Sequence, residues 1–179
     1  MQTIHINWYG PYTYSREDGI ETYDHISPFD GLSGVGLYAW TGQKKRQRNP
    51  ACLQYIGITI EAYKWRFEKE HPHNEITRDK YVWLGKIQHH EFTGDNRQEA
   101  TPILEAVEHI LVSYCQPPLN EKKLNRPQFS CTVISRFCKK DIEPYKRIPS
   151  IISVIPELVI WDGKEIRDNR TRIRGYTPE

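Results

Sequence analysis

The stretch VGLYAWTGQKKRQRNPACLQYIGI, residues 35–58, decides the fold prediction. Two short runs rich in β-branched and aromatic residues, Val35 to Trp40 and Leu53 to Ile58, enclose a polar connection. Such runs on either side of a polar segment are typical of two strands that form a hairpin. The connection contains four basic side chains, which are Lys44, Lys45, Arg46 and Arg48. The sequence therefore predicts a hairpin with a long basic loop.

Segments before and directly after this hairpin extend it into a larger unit. Thr3 to Asn7 alternates as an edge strand would, and Gly10 to Gly34 is rich in loop-forming residues. Thr59 is predicted to cap a first helix that runs from Ile60 to about Glu70. The N-terminal part therefore predicts one strand, the hairpin and one helix.

The rest of the chain alternates between strand and helix patterns. A strand is predicted from Tyr81 to Phe92, and a longer helix from Gln98 to Tyr114. A strand follows at Phe129 to Phe137, and Leu158 to Arg167 forms a hairpin around Asp162-Gly163. We therefore predict an α+β fold: a small mixed or antiparallel sheet flanked by helices, with an N-terminal strand and a β-rich C-terminal extension.

Composition limits the class of protein. The 179 residues fit one domain and have a net charge of +2, so attraction to phosphate must come from local clusters of Lys and Arg. The four cysteines form no CxxC pair, and the first residues lack a signal-peptide pattern. No apolar run approaches the roughly 20 residues needed to cross a bilayer. We expect a soluble, cytoplasmic protein without a membrane partner.

The longer helix places one carboxylate beside its apolar face. With a step of about 100° per residue, Glu105 points away from the stripe centred on Val107, whereas Glu108 lies on its flank. A carboxylate at such a margin can bind Mg²⁺, which needs only one or two protein carboxylates. Taken alone, a solvated surface glutamate is the more common interpretation.

The first helix places an arginine in a similar position. Arg66 flanks the predicted apolar stripe, and its guanidinium fork suits phosphate oxygens. A surface ion pair with Glu68 or Glu70 is the alternative. Trp65 points away from the stripe, where it could stack on a base or pack under the extensions.

Taken in order, these residues resemble the GIY-YIG nuclease family. Gly36-Leu37-Tyr38 matches the first triplet of that family with Leu for Ile, and Tyr55-Ile56-Gly57 matches the second triplet without change. Residues 104–120, LEAVEHILVSYCQPPLN, resemble its metal-binding helix and the following asparagine, especially in excision-repair nucleases. There the carboxylate corresponds to Glu108 and the asparagine to Asn120.

The resemblance implies a nuclease core at residues 33–123, with an N-terminal extension, 1–32, and a basic, mostly β C-terminal extension, 124–179. The chain departs from the family pattern in three places. The loop between the tyrosine strands is longer, and Arg66 lies one residue further from Tyr55. Glu70 stands where the family often has His or Tyr, a place that His71 or His73 could fill.

The resemblance also implies a mechanism. Glu108 would bind a single Mg²⁺ or Mn²⁺ ion, and Arg66 would contact the scissile phosphate of DNA. Tyr38 would orient or deprotonate the attacking water, although a phenol with a pKa near 10 needs a nearby cation for deprotonation. Tyr55 would be a second phosphate or water ligand, and Asn120 would brace the helix end or the metal shell.

Further side chains are predicted to bind substrate, namely Lys44, Lys45, Arg46, Arg48, Lys64, Trp65 and His71. The expected activity is hydrolysis of DNA phosphodiester bonds by an endonuclease of the restriction, mobile-element or repair type. A homodimer is an expectation from the family alone. The alternatives are a nucleic-acid-binding module on the same fold that no longer cuts, and a structural protein in which the motif is a coincidence.

Overall fold

The structure is a computed structural model that describes residues 1–15, 19–20, 35–60, 63–68, 72–88 and 97–169. This part of the chain contains eight strands, two α-helices and one 3-10 helix. The strands are β1 (Gln2–Ser15), β2 (Gly19–Ile20), β3 (Gly36–Lys44), β4 (Cys52–Thr59), β5 (Ile76–Ile87), β6 (Cys131–Cys138), β7 (Leu158–Trp161) and β8 (Ile166–Asp168). The helices are α1 (Tyr63–Glu68), the 3-10 helix (Pro72–Glu75) and α2 (Arg97–Cys115).

Seven strands follow one another across a single mixed sheet in the order β4-β3-β5-β1-β6-β7-β8, and β2 pairs with β1. Neighbours are antiparallel except for β1 and β6, which run parallel from the Gln2–Cys131 pair to the Tyr9–Cys138 pair. The segments 1–32, 33–123 and 124–179 all contribute strands to this sheet. The hairpin that the sequence indicates is therefore one end of a much wider layer.

The two faces of the sheet bury different side chains. One face packs against α2 and is mainly aliphatic, with Ile4, Ile6, Leu37, Leu104 and Ile110 among its buried members. The other face packs against α1 and is mainly aromatic; its buried residues include Tyr9, Tyr12, Tyr38, Trp40, Tyr63 and Phe67. The side chain of Tyr38 therefore belongs to the aromatic face.

The predicted fold class is wrong. We expected a small sheet flanked by helices, but the described residues form a predominantly β structure, with one long helix of 19 residues and one short helix of six. The N-terminal strand is also not an edge strand, because β1 lies between β5 and β6. Alternation of apolar residues indicates which faces of a strand are buried, but not which strands pair along its two edges.

Individual elements match the predictions better. The hairpin of β3 and β4 is confirmed, as are the long helix and the C-terminal hairpin of β7 and β8. The first helix is shorter than predicted: α1 begins at Tyr63, Thr59 ends β4, and Ile60 is 44% exposed in a bend. Residues 61–62 and 69–71 lie outside the described part.

Gly36 allows α1 to pack tightly on the sheet. The Tyr63 hydroxyl contacts the carbonyl oxygens of Leu37 (3.0 Å) and Gly85 (3.2 Å), so the start of α1 is held against β3 and β5. A Cβ atom at position 36 would lie 1.9 Å from that hydroxyl oxygen. The glycine of the first triplet is thus required by packing, since only a residue without a side chain leaves room for Tyr63.

Candidate active site

The two triplet tyrosines lie side by side. Tyr38 on β3 and Tyr55 on β4 have ring centroids 6.0 Å apart and stack at an interplanar angle of 24°. Tyr38 pairs in register with Gly57, and a Cβ atom at position 57 would lie 2.5 Å from the Tyr38 hydroxyl oxygen. The glycine of the second triplet therefore leaves space for the hydroxyl of the first triplet's tyrosine. The two motifs fit together as one structural unit.

Arg66 joins this pair from α1. Its Nε donates a hydrogen bond to the Tyr38 hydroxyl oxygen at 3.0 Å, and its guanidinium also bonds the Tyr55 hydroxyl. Phe67 fixes the helix here, because its ring meets the Tyr38 ring edge-on at 5.1 Å. A hydrogen bond between the two tyrosine hydroxyls completes a group that we call the Tyr-Tyr-Arg cluster, made of Tyr38, Tyr55 and Arg66.

Both phenols of the cluster are held in the neutral form. Burial is the largest effect and raises the pKa of Tyr38, as does the neighbouring Tyr55, while Arg66 acts in the opposite direction. The pKa of Tyr55 is raised as well, by burial and then by the charge of Glu108. Of the two roles expected for Tyr38, this environment favours orienting a water molecule over removing its proton.

Glu108 lies on α2 and is buried. Glu108 is only 8% exposed, whereas Glu105 on the same helix is exposed. The negative charge of Glu108 contributes to the raised pKa of Tyr55, after burial, and to a smaller extent to that of Tyr38. The Lys123 ammonium forms an ion pair with its Oε2. A buried carboxylate is thus paired with a positively charged side chain and influences the protonation of both tyrosines electrostatically.

The single carboxylate of Glu108 limits the kind of metal ion that this position could hold. No group of three or more His, Cys, Asp or Glu side chains able to hold a metal occurs in the described residues. A zinc-like cage is therefore not formed by this part of the chain. A single buried carboxylate fits Mg²⁺ or Mn²⁺, which can retain water as most of its ligands. The Lys123 ammonium already contacts one of the two oxygens of Glu108.

The side chain of Asn120 bonds the backbone of β4. Its Oδ1 accepts from the Ile56 amide at 3.0 Å, and its Nδ2 donates to the Ile56 carbonyl at 2.8 Å. The Leu119 amide donates to the Gln54 carbonyl at 2.9 Å. These bonds fix the segment after α2 against the strand of Tyr55.

The basic hairpin loop lies at the far end of β3. Lys45, Arg46 and Arg48 are exposed, and Lys44 ends the strand. Tyr38 and Lys44 are six residues apart, which in an extended strand corresponds to about 20 Å. The loop and the Tyr-Tyr-Arg cluster are therefore separate regions on one hairpin.

Gln47 gives this loop a defined shape. Its Oε1 accepts from the Lys44 amide at 3.1 Å and from the Gln54 side chain at 3.0 Å, and its carbonyl accepts from Arg78 at 3.2 Å. Arg78 thereby adds a fifth cation beside the predicted four.

Of the other residues predicted to bind substrate, Lys64 and Trp65 belong to α1 but their side chains lie outside the described part, as does the whole of His71.

His73, one of two candidates for the missing family position, is buried instead of exposed to substrate. Its ring stacks on Trp40 with centroids 4.5 Å apart and meets Phe67 edge-on. Burial, followed by the charge of Lys80, lowers its pKa from 6.5 to about 3. Burial also lowers the pKa of Lys80 to about 8, and its ammonium lies 5.7 Å from the centre of the Trp40 ring. His73 is a neutral packing residue.

Acidification is expected to destabilise the fold through His73. Because its pKa is lower when folded, the unfolded state takes up the proton first; the contribution of His73 to stability is complete above pH 6.5 and is lost as the pH falls toward 3. Between pH 7 and pH 5 this amounts to about 1 to 2 kcal/mol of unfolding free energy. His73→Phe should remove this loss and keep the stack on Trp40. Urea unfolding at pH 5, 6 and 7 measures how the free energy of unfolding changes with pH.

The matched control is His5→Asn, since His5 is exposed on β1. This variant should retain the acid sensitivity of the unmodified protein. Equal loss of stability in His73→Phe and in the unmodified protein would contradict the assignment of the effect to His73.

The sequence did not indicate two basic residues near the site. Lys123 lies in a generally basic stretch and has no spacing that marks it as a partner of Glu108. Lys80 looks like a polar position of a strand, yet it lies over Trp40. Only the packing of distant segments reveals either contact.

Comparison with known proteins gives no family assignment: no protein-family model, curated protein or solved structure matches this chain. Among the described residues, neither helix is long and apolar enough to span a membrane.

Proposed function

We propose that this protein is a divalent-metal-dependent DNA endonuclease related to the GIY-YIG nucleases. The observation that supports this most directly is the Tyr-Tyr-Arg cluster, whose two phenols are also influenced by the charge of Glu108. Its three residues come from three different elements and are hydrogen-bonded to one another. The resemblance predicts that these three residues lie together, and a coincidental motif gives no reason for them to do so.

Hydrolysis of a phosphodiester requires an oriented water molecule and positive charge near the phosphoryl oxygens. Arg66 supplies the charge, and its bond to the Tyr38 hydroxyl fixes the direction of the guanidinium. Tyr38 and Tyr55 supply neutral hydroxyl groups that orient water or a phosphate oxygen. Asn120 keeps the strand of Tyr55 and the end of α2 in register. The positions of the polar groups are thus set by packing before substrate binds.

Glu108 is the residue that would hold a single Mg²⁺ or Mn²⁺ ion, with water as the other ligands. When bound, the ion would supply Lewis-acid stabilisation of charge on the leaving oxygen. The role of the chain is to keep this carboxylate buried, where a cation interacts with it more strongly than in bulk water.

The hairpin loop is the proposed DNA contact away from the reaction centre. Lys45, Arg46 and Arg48 are exposed, and Arg78 is held beside them by its bond to Gln47. A loop about 20 Å from the cluster would contact phosphates on the flanking duplex rather than the scissile one. Lys64, Trp65 and His71 remain further proposed contacts.

A binding module that does not cut DNA is the second candidate. The neutral state of Tyr38 and the ion pair between Glu108 and Lys123 favour it, since both leave the site without a strong base or a free carboxylate. A cytoplasmic location and a homodimer are further parts of our proposal. Restriction, mobile-element and repair roles are alternatives within the same activity.

Cleavage of DNA tests the proposal. The unmodified protein is incubated with supercoiled plasmid and with branched DNA in Mg²⁺ or Mn²⁺, at several salt concentrations, and in EDTA. We expect nicked or linear products only with metal, at rates that fall as salt increases, because phosphate contacts weaken with ionic strength. A Glu108→Ala protein purified in the same way reveals any contaminating nuclease.

Two results separate the candidates. Cutting by the unmodified protein and not by Glu108→Ala supports the endonuclease, and the product ends then distinguish sequence-specific from structure-specific cleavage. Equal DNA binding by both proteins without cutting of any substrate would refute catalysis in favour of the binding module.

A further inference from the structure

Lys123, the ion-pair partner of Glu108, has an unusual backbone conformation. It lies in the loop after α2 with φ of +62°, a left-handed value that non-glycine residues seldom adopt. Its ammonium contacts Glu108 Oε2, and the side chains of Lys123 and Glu108 are 32% and 11% exposed. Three residues earlier, the side chain of Asn120 bonds the Ile56 backbone and fixes the start of this loop. The ion pair is therefore set by the fold on both sides.

A mostly buried carboxylate needs such a partner. Without a compensating cation or hydrogen bonds, an ionised carboxylate at this position would be strongly disfavoured by the loss of water. Lys122 is exposed and has no ion pair in the described part of the chain. Of the two adjacent lysines, only Lys123 provides the charge that Glu108 requires.

We propose that the Lys123 ammonium is a built-in occupant of the metal position, which a divalent ion must displace from Glu108. This inference rests on the proposed function, because it concerns the same carboxylate. Displacement exchanges one cationic partner for another, so the carboxylate remains neutralised in both states. The ion pair thus lowers the affinity for the metal ion and keeps the empty site folded.

Metal affinity without DNA provides the test. Mn²⁺ binding is measured from the loss of the free-ion signal in electron paramagnetic resonance. Lys123→Met is expected to bind Mn²⁺ about tenfold more tightly than the unmodified protein, because the competing charge is gone. Lys122→Met removes the same charge one residue away and should leave the affinity unchanged. Lys123→Arg retains a competing cation and should bind close to the unmodified protein.

Thermal unfolding gives a second readout that is independent of activity. In EDTA, Lys123→Met should melt at a lower temperature than Lys122→Met, since Glu108 then has no cationic partner. Added Mn²⁺ should raise the melting temperature of Lys123→Met by the larger amount, because the bound ion replaces the lost lysine. A variant that remains folded in EDTA but shows no extra gain with Mn²⁺ would overturn the inference.

The two proposals fail in different ways. If the unmodified protein binds Mn²⁺ through Glu108, as judged by loss of binding in Glu108→Gln, and Lys123→Met binds with equal or weaker affinity, only the competition by Lys123 is refuted. Weaker binding would mean that Lys123 positions the carboxylate for the ion. If no protein binds Mn²⁺, the metal-dependent function and the competition are both refuted.

Discussion

Glu108→Gln is expected to lower the rate of DNA cleavage by about 10³-fold or more while leaving DNA binding in EDTA within about twofold. The amide keeps the size of the side chain but lacks the negative charge that would hold a divalent ion. It also removes the charge beside Tyr38 and Tyr55 and leaves the ammonium of Lys123 without its anionic partner. Single-turnover cleavage with Mg²⁺ and fluorescence anisotropy with labelled DNA measure the two quantities separately.

Glu105→Gln is the matched control, because Glu105 is an exposed glutamate on the same helix. It should cut at the rate of the unmodified protein. A large loss in both variants would point to damage of α2, and full activity of Glu108→Gln would remove this carboxylate from the mechanism.

Arg66→Met is expected to lower the cleavage rate by about 10² to 10³-fold, the usual cost of losing one donor to a charged transition state. The loss has two causes, namely the missing charge at the phosphate and the missing hydrogen bonds that fix the two tyrosine hydroxyls. Arg66→Lys should recover only part of the rate, since an ammonium has no planar fork to bond phosphate and tyrosine together. Rates at saturating DNA isolate this effect from binding.

Arg136→Met is the control for this series, because Arg136 is an exposed arginine on β6. Its rate should equal that of the unmodified protein. Arg66→Lys with full activity would show that positive charge alone is needed, and that the bond from Nε to Tyr38 has no part in the reaction.

The proximity of Tyr38, Tyr55 and Arg66 could be predicted from the sequence, and the sheet that supports them could not. Helical spacing distinguished Glu108 from Glu105, and the two side chains differ in burial as that spacing indicates. The order of the motifs indicated that Tyr38, Tyr55 and Arg66 would lie together, and they form one hydrogen-bonded cluster. Short motifs specify the geometry of single strands and helices, which is why they indicate the faces on which these side chains lie.

The wider fold depends on contacts that have no local signal. The parallel pairing of β1 with β6 joins residues about 130 positions apart. Nothing in either strand specifies that partner, so two extensions were predicted around a small sheet. The protonation of Tyr38 was also beyond prediction, because it depends on burial between α1 and the sheet. The clash of a side chain at Gly36 with Tyr63 likewise becomes visible only in three dimensions.

The side chain of Asn120 has a consequence for how copies of this protein can associate. It occupies both hydrogen-bonding groups of Ile56 on the outermost strand of the sheet, and the Leu119 amide occupies the carbonyl of Gln54. An open strand margin is a template on which another chain can add a strand. Here the hydrogen-bonding groups in the middle of the β4 edge are occupied by the protein's own loop after α2. A strand of another molecule therefore cannot pair with β4 at Gln54 and Ile56 unless it displaces this loop.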